Sequence, residues 1–593
     1  MASNDIVLLD GVIATVAETA PSGLDDAEFF EFFSFDQVLK TYELTDEDLL
    51  AGQVGGGLDG GIDGVFVFAD DVLLEEDYDA SSARKNVVLM LHAIQAKRSK
   101  GFEEAPLQKL EDTLEELLDL SKSRQVLEKC GLYSAQLLDR VEIFRSAIKP
   151  LAVKRPQLRV VVTYATKGDM ATIPADKGVG SRAKRLQERL EAMLPGATTD
   201  VSFLGARELY ELSLREPTRT LELEFQGSPL SDRGDSYIAL AKLEDYYSFL
   251  TEDSSLRRHI FEGNVRDWQG GVEVNKAILE SLNDATAPQF WWLNNGVTIV
   301  CSKATMMNQR FQMDEPLIVN GLQTSMVIHN YFAEKVVADS TNNDEIDANR
   351  SRLLLVRVIV ATDETVRDQV IRSTNSQTPV PPASLRATDQ VQRDIESFFT
   401  TKGWFYDRRK NYYRNLGKPA DKIISIPYLA QAMMAVALQQ PDSARARPSS
   451  LIKDTQDYKR VFDTGLDLSI YFWAAKTQRA VDVFLRGERA NAEPQERSNL
   501  RFHVTMVAVL DALGRRVAKP ADLLDLTDKE FSDDELAAVF TKVRNALAKH
   551  QKQHGLATDR IAKGKDFVRY LLDVYFPQKP ATSEAAAGGE TSA

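Results

Sequence analysis

Cysteine is nearly absent from this sequence, which has two in 593 residues. Cys130 and Cys301 lie too far apart to suggest a disulfide framework, so we expect two buried thiols in a reducing cytoplasm. Long apolar runs are also missing, and none reaches the length of a membrane span. The first twenty residues lack the basic start of a signal peptide. These absences predict a cytoplasmic protein without a membrane partner.

Basic residues are scarce in the first part of the chain. Residues 1–80 contain twenty acids and one base, Lys40, which is a net charge of -19 in a chain whose total is -16. The other 513 residues therefore carry +3. The acidic excess is local, and we expect most of these acids to be solvated surface and a few of them to bind metal.

The chain is too long for one hydrophobic core, so we expect several domains. Strand and helix patterns alternate over residues 1–218, which predicts an α/β domain with a mainly parallel or mixed sheet. The pattern becomes α+β over 219–382 and mainly helical over 383–576. Residues 577–593 have the composition of a disordered tail.

Polar residues interrupt the apolar patterns of the first domain at two places. Asp63 lies where a glycine-rich turn becomes a strand, and the glycines beside it would let a phosphate backbone approach closely. Gln95 and Lys97 follow an apolar run and are two apart on one strand, so both point to one face. A lysine there needs a carboxylate or phosphate partner, unless it simply ends the strand in solvent. Oxygen ligands and a nearby cation are what metal-dependent phosphodiester cleavage requires.

The segments GLDGGIDGVFVF and AIQAKRSKGF resemble the PD-(D/E)XK nucleases, most closely the Mrr-like branch. This resemblance implies a restriction-endonuclease-like α/β fold that cleaves DNA with Mg²⁺ (or Mn²⁺). Asp63 matches the metal-binding Asp, Gln95 stands at the first position of the (D/E)-x-K element, and Lys97 matches its lysine. Such folds often add a Glu from the first helix, for which Glu31 is the first candidate and Glu28 the second. An amide oxygen brings no charge, so metal affinity should depend more on Asp63 and Glu31.

Four segments farther along resemble the AIPR family, the abortive infection phage resistance proteins. They are NVRDWQGGVEVNKAI (264–278), FWWLNNGVTIVC (290–301), LIVNGLQTSMVI (317–328) and RSTNSQTPV (372–380). Membership of that family implies bacterial antiphage defence. The second segment is predicted to be a hairpin or a strand–turn–strand, because Asn-Asn-Gly between apolar runs is a tight-turn signal.

The third of these segments contains a candidate ligand site. Asn320, Gly321, Gln323 and Thr324 link a predicted buried strand to a helix. The first amides of such a helix can bind a phosphate or carboxylate. Capping of the helix by these side chains is the alternative, and both stay open.

A basic and aromatic segment, GWFYDRRKNYYRNLGK (403–418), is a candidate nucleic-acid contact. Its aromatic residues alternate with Arg408, Arg409, Lys410 and Arg414. Aromatic rings and cations suit nucleic acid through stacking and phosphate contacts. The alternative is a surface hairpin whose aromatic residues pack on the helical domain.

Two hypotheses about function result. The first is a Mg²⁺-dependent DNA endonuclease of phage defence, gated by its C-terminal AIPR region. The second is a catalytically inactive, nuclease-like sensor that recognises nucleic acid, a nucleotide or a phage protein, and the neutral Gln95 keeps it open. DNA is the expected partner, while a nucleotide or phage-derived trigger and a homodimer are left open.

Overall fold

The structure, a computed structural model, describes residues 2–577 except 56, 79, 81–82, 84, 174–176, 215–219, 233–235, 253–254, 258, 262–272, 284–287, 338–348, 376–388, 409, 447–454 and 518. Arg409, parts of the first and fourth AIPR-like segments and the predicted tail from residue 578 lie outside the described residues. The chain divides into two compact units, 1–426 with 452–456, and 427–451 with 457–593. This division does not separate 1–218 from 219–382, so those domain boundaries stay predictions.

The first region is built on one mixed sheet. Its elements are α1 (Ala2–Ala17), α2 (Asp26–Val38), α3 (Asp46–Gly52), β1 (Gly64–Ala69), β2 (Val72–Leu73), β3 (Val88–Lys97), α4 (Glu104–Leu117), α5 (Arg124–Cys130), α6 (Ala135–Leu151), β4 (Gln157–Thr166), α7 (Gly178–Met193), β5 (Thr198–Leu204) and α8 (Ala206–Ser213). The strand order is β2-β1-β3-β4-β5. β1 is antiparallel to β2 and β3, while β3, β4 and β5 are parallel. The predicted mixed α/β sheet is confirmed.

Both faces of this sheet are covered, which explains why β3 is apolar on both sides. On one face Leu89 and Leu91 pack with leucines of α4, α6 and α7. On the other face Phe66 and Ile94 pack against Phe35 and other residues of α2. A strand buried in this way has no polar face, so polar residues at its end mark a place where the covering layers stop.

The second region is α+β, as predicted. Its elements are β6 (Thr220–Glu224), β7 (Gln226–Asp232), β8 (Ser236–Lys242), α9 (Leu243–Leu250), β9 (Thr251–Glu252), β10 (Ser255–Leu256), α10 (Glu273–Asn283), α11 (Phe290–Leu293), β11 (Val297–Cys301), β12 (Lys303–Met307), β13 (Arg310–Asp314), β14 (Leu317–Asn320), α12 (Leu322–Val337), β15 (Leu353–Val360) and α13 (Glu364–Asn375). Its two larger sheets have the orders β14-β11-β15-β8-β7 and β12-β13-β6. A buried apolar cluster joins these sheets to α9, α10 and α12.

The hairpin or strand–turn–strand predicted over residues 290–301 is wrong. Phe290–Leu293 is a short helix, and only Val297–Cys301 is a strand. Gly296 has a φ of +72°, and a Cβ atom there would overlap the carbonyl of Leu355 on β15. The Asn-Asn-Gly sequence therefore connects a helix to a strand, and its glycine is required by close packing rather than by a hairpin turn.

Helices dominate the rest of the chain, as predicted. They are α14 (Gln390–Thr401), α15 (Tyr412–Asn415), α16 (Ile426–Val436), α17 (Pro441–Ala446), α18 (Thr455–Val461), α19 (Leu468–Arg486), α20 (Pro494–Leu513), α21 (Asp533–His554), α22 (Thr558–Ala562) and α23 (Lys565–Tyr575). The same stretch of sequence contains two short strands, β16 (Phe405–Asp407) and β17 (Ile423–Ser425), which pair in parallel. Within the described part of the chain, no helix combines the length and apolar character needed to cross a membrane.

The two cysteines have different environments. Cys301 is buried on β11, as predicted, but Cys130 is exposed, so the prediction of two buried thiols is wrong for Cys130. Cys130 ends the short helix α5, where its thiol donates to the carbonyl of Leu127 at 2.8 Å. Leu127 is buried, but Glu128, Lys129 and Gly131 beside the cysteine are exposed, so this end of the helix lies at the surface.

Candidate active site

Asp63 is held by the main chain directly before β1. Its N–H donates to the carbonyl of Ile94 at 2.9 Å, and its Oδ2 accepts from the N–H of Ala96 at 2.8 Å. The pairing of Gly64 with Ile94 puts Asp63 opposite Gln95 on β3. Only 4% of Asp63 is exposed, so its carboxylate has one fixed position at the edge of the sheet.

Lys97 ends β3 and directs its ammonium towards Asp63. The distance from Nζ to Oδ1 is 3.6 Å, and the Lys97 side chain is 41% exposed where that of Asp63 is 5% exposed. The pair therefore lies where the buried sheet opens to solvent. The carboxylate partner that a lysine at this position requires is Asp63.

Gln95 is the most deeply buried polar residue of the group. It is 1% exposed, and its Oε1 accepts no hydrogen bond from any residue that the structure describes. A buried amide oxygen without a donor costs on the order of 1–3 kcal/mol. Such an atom, beside a buried carboxylate, is suited to a cation.

Glu31, on α2, completes the group. Burial and the negative charge of Asp63 raise the pKa of Glu31 to about 8. Burial also raises the pKa of Asp63 to about 6, against the opposite effect of the Lys97 ammonium. The side chain of Glu28, the second candidate, accepts instead from the N–H of Asp25 in the capping box of α2. Because the pKa values of both carboxyl groups are raised, a further positive charge at this place would be favourable.

The glycine-rich turn before Asp63 is held by α4. Oδ1 of Asp59 accepts from the N–H of Gly61 at 2.6 Å and from Nζ of Lys109 at 2.8 Å. Asp59 thus stabilises its own turn. Gly60 has a φ of +64°, and a Cβ atom there would overlap the side chain of Thr113. The expectation that these glycines leave room for a phosphate backbone is wrong at Gly60, where Thr113 fills the space, and at Gly64, where the ring of Phe35 fills it.

The donor atoms of this group fit a hard divalent cation. Glu31 and Asp63 offer carboxylate oxygens, and Gln95 offers a buried amide oxygen that lacks a donor. Mg²⁺ and Mn²⁺ prefer such oxygen ligands. Within the described ranges, no group of three or more His, Cys, Asp or Glu side chains could hold a metal. An ion at this place would therefore depend on Gln95 as the third protein ligand.

Two residues beside the group were missed by the sequence analysis. Gln53 donates from Nε2 to Oε2 of Glu31 at 2.8 Å. Tyr164, fully buried on β4, is paired in register with Gln95 on β3. Neither carries a signal in the sequence, because Gln53 precedes a glycine-rich turn and Tyr164 is one aromatic residue in an apolar strand. Only the sheet register and the path of the turn bring them here.

The candidate ligand site at 320–324 lies where β14 leads into α12. Gly321 has a φ of +98°, and a Cβ atom there would lie 2.6 Å from Cγ1 of Val297 and 2.9 Å from the carbonyl oxygen of Gly296. The glycine is thus required by packing against β11. Thr324 is buried, while Asn320 and Gln323 are partly buried. A ligand at this helix start stays a prediction.

The basic and aromatic segment contacts acids of the chain itself. Nε of Arg408 donates to Glu396 at 2.6 Å, and Arg408 is buried. Arg414 pairs with Asp36 and with Asp46, at 2.7 and 2.9 Å. These pairs favour the alternative in which the segment packs on the protein. Arg408 pairs with the helical part, since Glu396 lies on α14, and Arg414 pairs with the N-terminal region. A role in nucleic-acid binding stays a prediction.

Comparisons with known proteins give one match. A search of curated proteins and a search of solved structures each found no match. Residues 261–554 match the family model described as AIPR protein. All four AIPR-like segments of the sequence lie within this range. Residues 261–554 are therefore similar to the AIPR family, and we refer to this range as the AIPR domain.

Proposed function

We propose that this chain is a divalent-metal-dependent DNA endonuclease that acts in bacterial antiphage defence by abortive infection. The AIPR domain supports the antiphage role. The observation that carries the enzymatic role is the convergence of Glu31, Asp63 and Gln95 beside Lys97. The strand–strand–helix order β1, β3, α4 around them supports a PD-(D/E)XK nuclease with a restriction-endonuclease-like fold.

Each residue of the group has a role in phosphodiester hydrolysis. Glu31, Asp63 and Gln95 would hold Mg²⁺ or Mn²⁺ through oxygen atoms. A bound divalent cation supplies a Lewis acid that stabilises negative charge on the phosphate. Lys97 lies on the solvent side of Asp63, where its ammonium can donate to a phosphate oxygen and stabilise the charge that develops there.

The protonation of Glu31 makes the affinity for a metal ion depend on pH. With a pKa of about 8, the Glu31 carboxyl holds a proton at neutral pH as long as no cation is bound. A carboxylate ligand must be deprotonated, so cation binding releases that proton. Uptake of Mg²⁺ by the full chain should therefore acidify a weakly buffered solution, and Glu31→Gln should remove that release.

Contacts between the AIPR domain and the N-terminal helices support a gate. Residues 410–414, the docking segment, place Arg414 against Asp36 of α2 and Asp46 of α3. α2 carries Glu31, and α3 is followed directly by Gln53. A rearrangement of the docking segment would move both elements, and with them the proposed ligands.

Nicking of supercoiled plasmid tests the proposal. The full chain should cleave with Mg²⁺ or Mn²⁺, and Asp63→Ala or Lys97→Ala should abolish cleavage without unfolding the protein. Lys122→Ala is a matched control, because Lys122 is 37% exposed and pairs with Glu116 at 3.0 Å in the same region. Metal-free activity, or full activity in Asp63→Ala or Lys97→Ala, would contradict the proposal.

An inactive, nuclease-like sensor is the second candidate. It is favoured by the neutral Gln95 and by the lack of three acidic or histidine ligands within the described ranges. It predicts binding of nucleic acid, a nucleotide or a phage protein without cleavage under any divalent metal. Binding that persists in Asp63→Ala, with no nicking by the wild type, would favour this candidate.

A further inference from the structure

Gln53 connects the two carboxylates of the candidate active site. Its Nε2 donates to Oε2 of Glu31 at 2.8 Å and to the carbonyl of Glu28 at 3.2 Å. Its main chain forms an antiparallel bridge with Gly64, the residue after Asp63. One residue is thus bonded both to the helix that carries Glu31 and to the strand that begins after Asp63.

The position of Gln53 is itself fixed. Its carbonyl accepts from Nε2 of Gln136 on α6 at 2.5 Å. The N–H of the next residue, Val54, donates to the carbonyl of Asp63 at 2.7 Å. Gly52, the residue before, packs so closely on the ring of Phe66 that a Cβ atom would overlap it. With only 9% of its surface exposed, Gln53 offers Glu31 a donor that does not move.

We propose that Gln53 is a positioning residue that holds the Glu31 carboxylate towards Asp63 for metal binding. Ligating carboxylates need hydrogen-bond partners behind them to fix their orientation. The amide of Gln53 carries no charge, so it orients Glu31 without competing with a cation for it. This inference rests on the proposed function and adds a residue that the nuclease motif does not contain.

The Mn²⁺ affinity of the full chain, measured by calorimetry, tests this role. Gln53→Met keeps the length of the side chain but cannot donate, and it should weaken Mn²⁺ binding about tenfold, as is typical for loss of an outer partner. Gln53→Asn, whose amide is too short to reach Glu31, should weaken it similarly and keeps a polar group if the methionine variant folds poorly. Gln187→Met is the matched control, since it removes a 3.2 Å hydrogen bond from Gln187 to Glu191 on α7.

A double variant separates positioning from general structure. If Gln53 acts through Glu31, Gln53→Met combined with Glu31→Gln should bind Mn²⁺ no more weakly than Glu31→Gln alone. If the losses of Mn²⁺ affinity caused by Gln53→Met and Glu31→Gln multiply in the double variant, the inference is overturned. Wild-type affinity in both folded Gln53 variants would also overturn it, and either result would leave the proposed function intact. Absence of Mn²⁺ binding by the wild type would instead remove the proposed function, and this inference with it.

Discussion

Arg414 is the residue at which the contact between the AIPR domain and the N-terminal helices is best tested. Its guanidinium pairs with Asp36 and Asp46 and also donates to the carbonyl of Leu44 at 3.2 Å. Arg414→Met keeps the apolar part of the side chain and removes all three contacts. Two aspartates then lose their shared partner, and the variant should be less stable than the wild type.

The size of the effect follows from the exposure of the pair. Breaking a fully buried ion pair costs about 3–5 kcal/mol because a charge is left without a partner, whereas exposed pairs contribute about 1 kcal/mol or less. The Arg414 side chain is 26% exposed and its partners are 15% and 21% exposed, which places it between these limits. We expect Arg414→Met to lower the free energy of unfolding by about 2–3 kcal/mol.

Urea unfolding combined with hydrogen exchange is the assay. Arg310→Met is the control, because Arg310 also pairs with two acids, Glu222 and Glu224, but is 47% exposed on a sheet surface. The control should lose clearly less stability than Arg414→Met, because its ion pairs are exposed to solvent, and only Arg414→Met should speed exchange over residues 26–52. Equal losses in both variants, or unchanged exchange over 26–52, would refute the idea that this contact holds α2 and α3.

Four further predictions concern the site, the docking segment and the AIPR domain. Burial and Asp63 raise the pKa of Glu31 from 4.5 to about 8, so the folded chain binds this proton more tightly than the unfolded chain. Metal-free stability should therefore fall as pH rises from about 4.5 to about 8, by at most about 1.4 kcal/mol per pH unit, and Glu31→Gln should flatten this slope in urea unfolding. Gln95→Glu should bind metal more tightly and keep some activity, while Gln95→Ala should lose most activity. If a metal titration shows unchanged affinity in Gln95→Glu, Gln95 is not a ligand. Lys410→Glu should weaken DNA binding and lower its salt slope by about one if Lys410 contacts phosphate, and an unchanged slope in filter binding would leave docking as its role. Gly321→Val should unfold the AIPR domain, because a side chain there overlaps β11 at a positive φ; a wild-type melting temperature would contradict this packing.

Local sequence patterns were sufficient to predict the mixed sheet and to identify the polar residues at its edge. A strand buried on both faces tolerates few polar side chains, so Gln95 and Lys97 at the end of β3 were conspicuous. Alternation along β3 then put both on one face. Asp63 could be found because a glycine-rich turn leads into the neighbouring strand, and the register of β1 with β3 brings it opposite Gln95.

Contacts between distant parts of the chain could not be predicted in this way. Arg414 and Asp36 are 378 positions apart, and no periodicity relates them. A guanidinium pairs equally well with a phosphate or a carboxylate, so the composition of residues 403–418 could not distinguish DNA from the acidic helices. Gln53 was missed for a similar reason, because its role depends on a hydrogen bond to Glu31 rather than on its place in a motif.

The acidic excess of residues 1–80 has a structural use that composition alone does not indicate. Asp36 and Asp46 bind Arg414, and Asp48 lies 3.5 Å from the ammonium of Lys410. The same two helices lead to Glu31 and Gln53, so docking and the proposed metal binding would involve the same two helices. If the docking segment changes the affinity of the site for a divalent cation, the cation must change the affinity of docking by the same factor. A gate of this kind would therefore need no separate connecting element, since a trigger that loosened the docking segment would alter the proposed metal site through α2 and α3.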